Sequence, residues 1–146
     1  MTQEDDIRFM KLALNEAEKA AEENEIPIGC IITCQGHILA RTHNLTEHLN
    51  DVTAHAEMQA ITAAADALGG KYLTDCTLYV TVEPCVMCAG AIGWSQLKRV
   101  VFGTRDEKRG FRRFAPAALH PRTIITSGVM EEECATLMKN FFKTKR

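Results

Sequence analysis

Long apolar runs are missing from this sequence. No stretch approaches the ~18 consecutive apolar residues that a membrane-spanning helix needs. The first ten residues, MTQEDDIRFM, are acidic and lack the basic and then apolar layout of a secretory signal peptide. We therefore expect a cytoplasmic chain that has no membrane partner.

A strong charge of either sign is also missing. The 17 basic and 19 acidic residues leave a net charge of -2, so overall electrostatics do not draw the chain to nucleic acid. Any such contact must come from a local patch. Internal repeats, low-complexity tracts and linkers are absent as well, and 146 residues fit one domain. We therefore expect a single domain over residues 1–146.

Hydrophobic spacing predicts helices that alternate with apolar strands. Apolar residues recur at helical spacing over residues 5–24, and a Gln-Gly-His turn joins two strands into a hairpin. The predicted helices cover residues 5–24, 56–68, 83–94 and 131–142, and the predicted strands cover 26–34, 38–43, 76–82, 99–104 and 123–126. This order predicts an α/β protein: a three-layer α-β-α sandwich with a central five-stranded mixed sheet.

The six cysteines fall into two groups. In a reducing compartment, cysteines are more often buried small residues, metal ligands or reactive groups than disulfides. Four of them are interpreted as buried packing residues: Cys30, Cys34, Cys76 and Cys134. Cys85 and Cys88 instead form a C-x-x-C pair at the start of a helix. Such a pair fits a redox centre, half of a zinc site, or two small buried residues.

His55 is the one further ligand candidate in a similar setting, at the start of an earlier helix. One histidine and two cysteines form a catalytic zinc arrangement, because the fourth position stays open to water. Glu57 lies in the first helical turn beside His55 and suits the task of moving protons. An H-x-E motif followed by P-C-x-x-C is the signature of zinc-dependent nucleobase deaminases. Here the two halves are HAE and PCVMC.

Several segments resemble the bacterial tRNA-specific adenosine deaminases in order and spacing. They are DVTAHAEMQAI, TLYVTVEPCVMCAGAI, RVVFGTRDEKRG and the closing SGVMEEECATLMKNFFKTKR. The resemblance covers almost the whole chain. It implies a cytidine-deaminase-like fold, a homodimer, and conversion of adenosine to inosine at the wobble position of a tRNA anticodon stem-loop.

The resemblance also implies roles for individual residues. Zn²⁺ would be held by His55, Cys85 and Cys88. A zinc-bound hydroxide would attack the purine C6 while Glu57 shuttles protons. The substrate-binding residues would be Asn44, which hydrogen-bonds the flipped base, and Ala56 and Pro84, which lie beside it.

Two basic and aromatic clusters are candidates for RNA contact, since basic residues hold phosphates and aromatic rings stack on bases. Phe111 and Phe114 lie within the first of them. The basic members of this first cluster are Arg105, Lys108, Arg109, Arg112 and Arg113. The resemblance points to the second cluster, at the C-terminus: Phe141, Phe142, Lys143, Lys145 and Arg146. A solvated charged loop and a basic helix end explain each cluster better when it is taken alone. Beside a nucleobase-deaminase centre, RNA contact becomes the favoured interpretation.

Two other functions stay open. Related families share the zinc motifs but deaminate free guanine, cytosine or a nucleotide, and the segment FRRFAPAALHPR is shorter here than is usual in the tRNA-specific family. A non-catalytic, zinc-stabilised binding module is the third alternative, although such a module would not need Glu57. Trp94 is interpreted either as a dimer contact or as a core residue.

Overall fold

The computed structural model describes residues 2–145, which contain five helices and five strands. In chain order the elements are α1 (Gln3–Glu22), β1 (Gly29–Cys34), β2 (His37–His43), α2 (Ala56–Leu68), β3 (Cys76–Val82), α3 (Val86–Ser95), β4 (Arg99–Thr104), α4 (Phe111–Phe114), β5 (Ile124–Ser127) and α5 (Glu131–Thr144). In this described range, no helix combines the length and the apolar character required to cross a membrane.

The five strands form one mixed sheet in the order β2-β1-β3-β4-β5. Strand β1 is antiparallel to both β2 and β3, and β4 is parallel to both β3 and β5. The tight β1–β2 hairpin turns at Gln35 and Gly36, whose φ angles of 51° and 81° match the left-handed geometry of a two-residue hairpin loop. Helix α3 supplies the crossover that a parallel β3–β4 pair requires.

Helices cover both faces of the sheet. On one face, α1 and α5 pack against Ile31, Tyr79 and Val101. On the other face, α2 and α3 pack against Ile32, Leu78 and Val80. All seven residues of β3 are buried, as expected for a strand covered on both sides. The predicted α-β-α sandwich with a five-stranded mixed sheet is therefore confirmed.

The structure differs from the sequence predictions in several details, including the bounds of some elements. The first strand begins at Gly29 rather than residue 26, and the segment predicted to be irregular contains the one-turn helix α4. Cys30, Cys76 and Cys134 are buried as predicted, whereas Cys34 is partly exposed. Trp94 is 85% exposed, so its interpretation as a core residue is wrong.

Candidate metal centre

The two sequence motifs meet where α2 and α3 begin. His55 is the N-cap of α2 and Cys85 is the N-cap of α3, and both have extended backbone conformations. Cys88 follows one helical turn after Cys85, on the same helix face. Because His55 precedes the regular helix, its side chain does not have to diverge from that of Glu57 as it would within a helix.

The three predicted metal ligands converge. The Nδ1 atom of His55 lies 3.6 Å from the Sγ of Cys85 and 3.5 Å from the Sγ of Cys88. All three donor atoms lie within 4.8 Å of one another. Tetrahedral zinc with Zn–S bonds of about 2.3 Å and Zn–N bonds of about 2.0 Å separates N from S by about 3.5 Å. The donor types and their spacing therefore fit Zn²⁺.

The electrostatics of the two thiols favour a metal ligand. The pKa of Cys85 falls to about 4, chiefly because Cys88 donates a hydrogen bond to it and also because His55 lies beside it. The pKa of Cys88 is raised, chiefly because the Cys85 sulfur lies beside it and because it is buried. The pKa of His55 is raised by its hydrogen bond to Cys85. One thiolate is thus present near neutral pH even before a metal neutralises the pair.

Glu57 lies beside this cluster in the first turn of α2 and is only 3% exposed. Burial raises the pKa of its carboxyl group to about 7, and the neighbouring Cys85 adds to the rise. Its own backbone N–H and His55 act in the opposite direction. A carboxyl group that titrates near neutral pH can both accept and donate a proton.

The predicted substrate-binding residues surround the same helix starts. Asn44 is 4% exposed, and its N–H donates to the carbonyl of Ile28 over 3.1 Å. The next residue, Leu45, donates its N–H to the carbonyl of Ala54 over 3.0 Å, which places Asn44 next to the His55 segment. Ala56 and Pro84 are buried within the two motifs.

The first basic cluster borders the metal ligands. An open cavity of about 430 Å³ is lined by Cys85, Val86, Met87, Lys108, Arg109 and Phe114. Phe114 is 58% exposed, and the guanidinium of Arg113 lies 5.1 Å from the centroid of its ring. Arg105, in the same segment, is also exposed. Arg112 differs from its neighbours, because it bonds Glu83 and covers the ring of Phe102.

The second cluster lies at the end of α5, beside the segment that joins α1 to β1. Phe141 and Phe142 pack edge to face, with their ring centroids 5.3 Å apart. Lys145 donates to the side-chain oxygen of Asn24 over 2.7 Å. Asn24 precedes β1, whose first residue, Gly29, bonds Thr81 near the end of β3. Lys143 is exposed, and Arg146 lies outside the described residues.

Sequence reasoning missed Glu83, a buried carboxylate that precedes the P-C-x-x-C motif. Its side chain is bonded by the N–H groups of Asp106 and Arg112, each over 3.2 Å, and by the Arg112 guanidinium over 3.3 Å. Gly110 packs so closely against Glu83 that a side chain there would collide with it. Glu83 therefore holds the basic segment over residues 105–113 against the turn that carries Cys85. An acidic residue at the end of an otherwise apolar strand was the available signal.

Glu25 was also missed. It is completely buried, and it accepts hydrogen bonds from the N–H groups of Glu47 and His48 and from the His48 ring. These bonds anchor the loop that follows Asn44. The partners lie 22 and 23 residues away, so no local pattern marks them.

Comparison with known proteins agrees with this geometry. Residues 3–104 match the model of the cytidine and deoxycytidylate deaminase zinc-binding region. A tRNA-specific adenosine deaminase from Agrobacterium fabrum is 43% identical over 143 residues, covering 94% of each chain.

Two solved structures are similar as well. One, from studies of tRNA:A34 deaminases that edit A to I at the wobble position of transfer RNA, has a TM-score of 0.84 and 42% identity, covering 89% of this chain and 98% of the other. A guanine deaminase from Bacillus subtilis has a TM-score of 0.66 and 39% identity, covering 72% of this chain and 66% of the other. Given the family-model match and the 43% identity over 94% of the chain, the chain belongs to the cytidine and deoxycytidylate deaminase family and, within it, to the tRNA-specific adenosine deaminases.

Proposed function

We propose that this chain is a cytoplasmic, zinc-dependent hydrolytic deaminase that converts adenosine to inosine at the wobble position of tRNA. We assign this activity to a single domain over residues 1–146. The observation that carries the proposal is the convergence of three zinc-type donors beside a buried carboxyl group. The overall reaction consumes one water and releases ammonia from the 6-amino position.

His55, Cys85 and Cys88 would hold the metal. Zinc bound there supplies a Lewis acid that lowers the pKa of a water molecule toward about 7. Cys85 and Cys88 also lie at the start of α3, where the helix dipole favours negatively charged sulfur.

Glu57 would carry the protons. Its carboxylate takes a proton from the attacking water and delivers it to N1 of the purine ring. It then takes the remaining proton of the hydroxyl added at C6 and transfers it to the 6-amino group, which leaves as ammonia while the C6 carbonyl forms. A pKa near 7 suits both directions of transfer, and burial keeps bulk water from competing.

Asn44, Ala56 and Pro84 would position the base. The amide of Asn44 offers both a donor and an acceptor to the purine edge. The N–H of Ala56 belongs to the first turn of α2, where backbone N–H groups lack partners within the helix. The carbonyl of Pro84 already accepts the N–H of Phe111, which fixes the turn that carries Cys85.

The first basic cluster would contact the RNA strand beside the flipped nucleotide. Lys108, Arg109 and Phe114 line the cavity next to Cys85, so phosphate-binding and base-stacking groups adjoin the metal ligands. The exposed Arg105 and Arg113 extend this surface. Arg112 has a mainly structural role, because its guanidinium bonds Glu83 and packs against the ring of Phe102.

The C-terminal cluster would contact the stem of the same RNA. Lys145 bonds Asn24, and the adjacent Glu25 anchors the loop after Asn44, which links this cluster to the segment that carries a proposed base-binding residue. Phe142 is 47% exposed and is available for stacking. Lys143 and Arg146 complete the predicted basic tail.

We also propose a homodimer with Trp94 at its interface. Trp94 is 85% exposed on α3, and a tryptophan so exposed is typical of a protein contact. Replacing Trp94 with arginine should shift the chain toward monomer in analytical ultracentrifugation. Replacing Tyr72, an aromatic residue that is 52% exposed outside α3, should leave the mass unchanged.

The substrate is tested by offering the zinc-loaded protein two classes of compound. One is an anticodon stem-loop with a wobble adenosine, and the other is a set of free bases and nucleosides. Inosine formed only in the stem-loop supports the proposal. Ammonia released only from free bases would refute tRNA as the substrate while leaving the zinc chemistry intact.

Deamination of free guanine is the second candidate, favoured by the 39% identity to a guanine deaminase. The basic clusters provide a way to distinguish the two candidate substrates, because they can bind the phosphates of an RNA whereas a free base has no phosphate. Replacing Lys143, Lys145 and Arg146 with alanine should weaken stem-loop binding and flatten its salt dependence. Replacing Lys71, a lysine outside both clusters, is the matched control. An unchanged salt slope in the triple variant would remove the tail from the interface.

A further inference from the structure

Two cysteines outside the metal centre lie directly opposite each other on neighbouring strands of the sheet. In the antiparallel ladder between β1 and β3, Cys34 is the direct partner of Cys76. Both are free thiols. The ladder is regular over Cys30–Cys34, so their pairing does not depend on a bulge between these two strands.

The backbone hydrogen bonds define the type of pair. The N–H of Cys76 donates to Leu73, and its carbonyl accepts the N–H of Lys98, which directly precedes β4. Both polar groups of Cys76 therefore point away from β1, and the Cys34–Cys76 pair is a non-hydrogen-bonded one. In such pairs the Cα atoms lie about 4.5 Å apart and the side chains are at their closest. A disulfide requires about 4.4–6.8 Å between Cα atoms, so the backbone already suits one.

The two side chains share the α2 face of the sheet. Cys76 belongs to the core cluster on that face, and Cys34 packs against the same cluster. Cys76 has no exposed surface, whereas Cys34 is partly exposed just before the β1–β2 turn. Burial, together with the nearby Cys34, raises the pKa of Cys76 to about 12. Of this pair, Cys34 is thus the thiol that a dissolved oxidant meets first.

We propose that Cys34 and Cys76 form a redox-sensitive pair that closes to a cross-strand disulfide when a peroxide is present. The Cys34 thiolate attacks one peroxide oxygen, which gives a sulfenic acid and releases water from hydrogen peroxide. The Cys76 thiol then displaces the sulfenic hydroxyl as a second water, and the S–S bond forms. Two thiols are oxidised and one peroxide is reduced to two waters.

The site lies far from the metal ligands along the same strand. Cys76 is the first residue of β3, while Cys85 follows the end of that strand, so six residues of extended strand separate the pair from the metal-binding turn.

The disulfide would close the loop from 34 to 76, which contains β2 and α2. Closing such a loop restricts the unfolded chain, so oxidation should raise the midpoint of thermal unfolding and leave the zinc content unchanged.

The test uses zinc-loaded protein treated with hydrogen peroxide, followed by alkylation of the remaining thiols. Mass spectrometry of a non-reduced digest should identify a peptide that links Cys34 to Cys76 and has lost two hydrogen atoms. The Cys34→Ala variant should lose both this link and the rise in the unfolding midpoint. The Cys30→Ala variant is the matched control, because Cys30 opposes Val80, and it should keep both.

Two results would overturn the proposal. One is recovery of both Cys34 and Cys76 in alkylated form under conditions that oxidise other thiols of the chain. The other is a link that joins Cys34 to a cysteine other than Cys76. Neither result depends on the proposed deaminase activity, so this inference can fail while that function stands.

Discussion

Replacing Glu83 with glutamine should loosen the basic segment that borders the metal ligands. Glu83 is 5% exposed, and both carboxylate oxygens accept backbone N–H groups from residues 23 and 29 positions away. Glutamine keeps one acceptor oxygen but turns the other position into an NH₂ donor, which would then face an N–H group. The substitution therefore removes the charge and leaves one buried donor without an acceptor.

The magnitude follows from these bonds. A hydrogen bond to a charged group contributes about 1.5–3 kcal/mol. The ion pair with Arg112 adds little, because that side chain is 38% exposed and solvent screens the pair. We expect Glu83→Gln to lower the free energy of unfolding by about 3 kcal/mol, because it weakens two such hydrogen bonds and leaves one N–H without an acceptor. For a chain of this size, that corresponds to a fall in Tm of roughly 6–12 °C.

Urea unfolding of the zinc-loaded protein, followed by circular dichroism, measures this change. The matched control is Glu107→Gln, an exposed acid in the same segment, which should stay within about 0.5 kcal/mol of the parent. Because Lys108 and Arg109 depend on the same turn, KM for the stem-loop should rise in Glu83→Gln. A Glu83→Gln variant as stable as Glu107→Gln would refute the structural role of Glu83.

Three further outcomes are expected. Glu57→Ala should stay folded and zinc-loaded but lose deaminase turnover by at least about 10²-fold, and appreciable turnover would remove Glu57 from proton transfer. A chelator should abolish activity and added Zn²⁺ should restore it, whereas activity that survives metal removal would contradict zinc catalysis. Burial alone would raise the pKa of Glu25, but hydrogen bonds from His48 and Glu47 lower it below 4.5. The same His48–Glu25 hydrogen bond raises the pKa of His48 above 6.5. The contribution of Glu25 to stability is lost as the pH falls below 4.5, and the contribution of His48 is lost as the pH rises above 6.5. The unfolding free energy of His48→Ala should therefore depend less on pH above 6.5 than that of the parent protein.

The metal centre was predictable because each motif is local. His55 and Glu57, like Cys85 and Cys88, are separated by only a few residues, and the chemistry of zinc needs those donor types. The sandwich followed from the order of helical and strand periods. Each covered face of the sheet calls for apolar residues, and these dominate β1, β3 and β4.

The roles of Glu83 and Glu25, the helix α4 and the exposure of Trp94 could not be predicted from the sequence, for different reasons. Glu83 and Glu25 act through partners more than 20 residues away, so no spacing rule connects them. Helix α4 spans a single turn, too short for a helical period to appear. The interpretation of Trp94 depended on which face of α3 the sheet covers, and only the structure shows that face.

The most direct test of this account is the metal content and coordination of the native protein. Elemental analysis should find one zinc per chain, and X-ray absorption should show two sulfur ligands, one imidazole nitrogen and one light atom from solvent. His55→Ala should reduce the zinc content, whereas His37→Ala, which changes an exposed histidine on β2, should not. A protein without stoichiometric zinc, or one in which Cys85 and Cys88 are joined as a disulfide, would contradict the assignment.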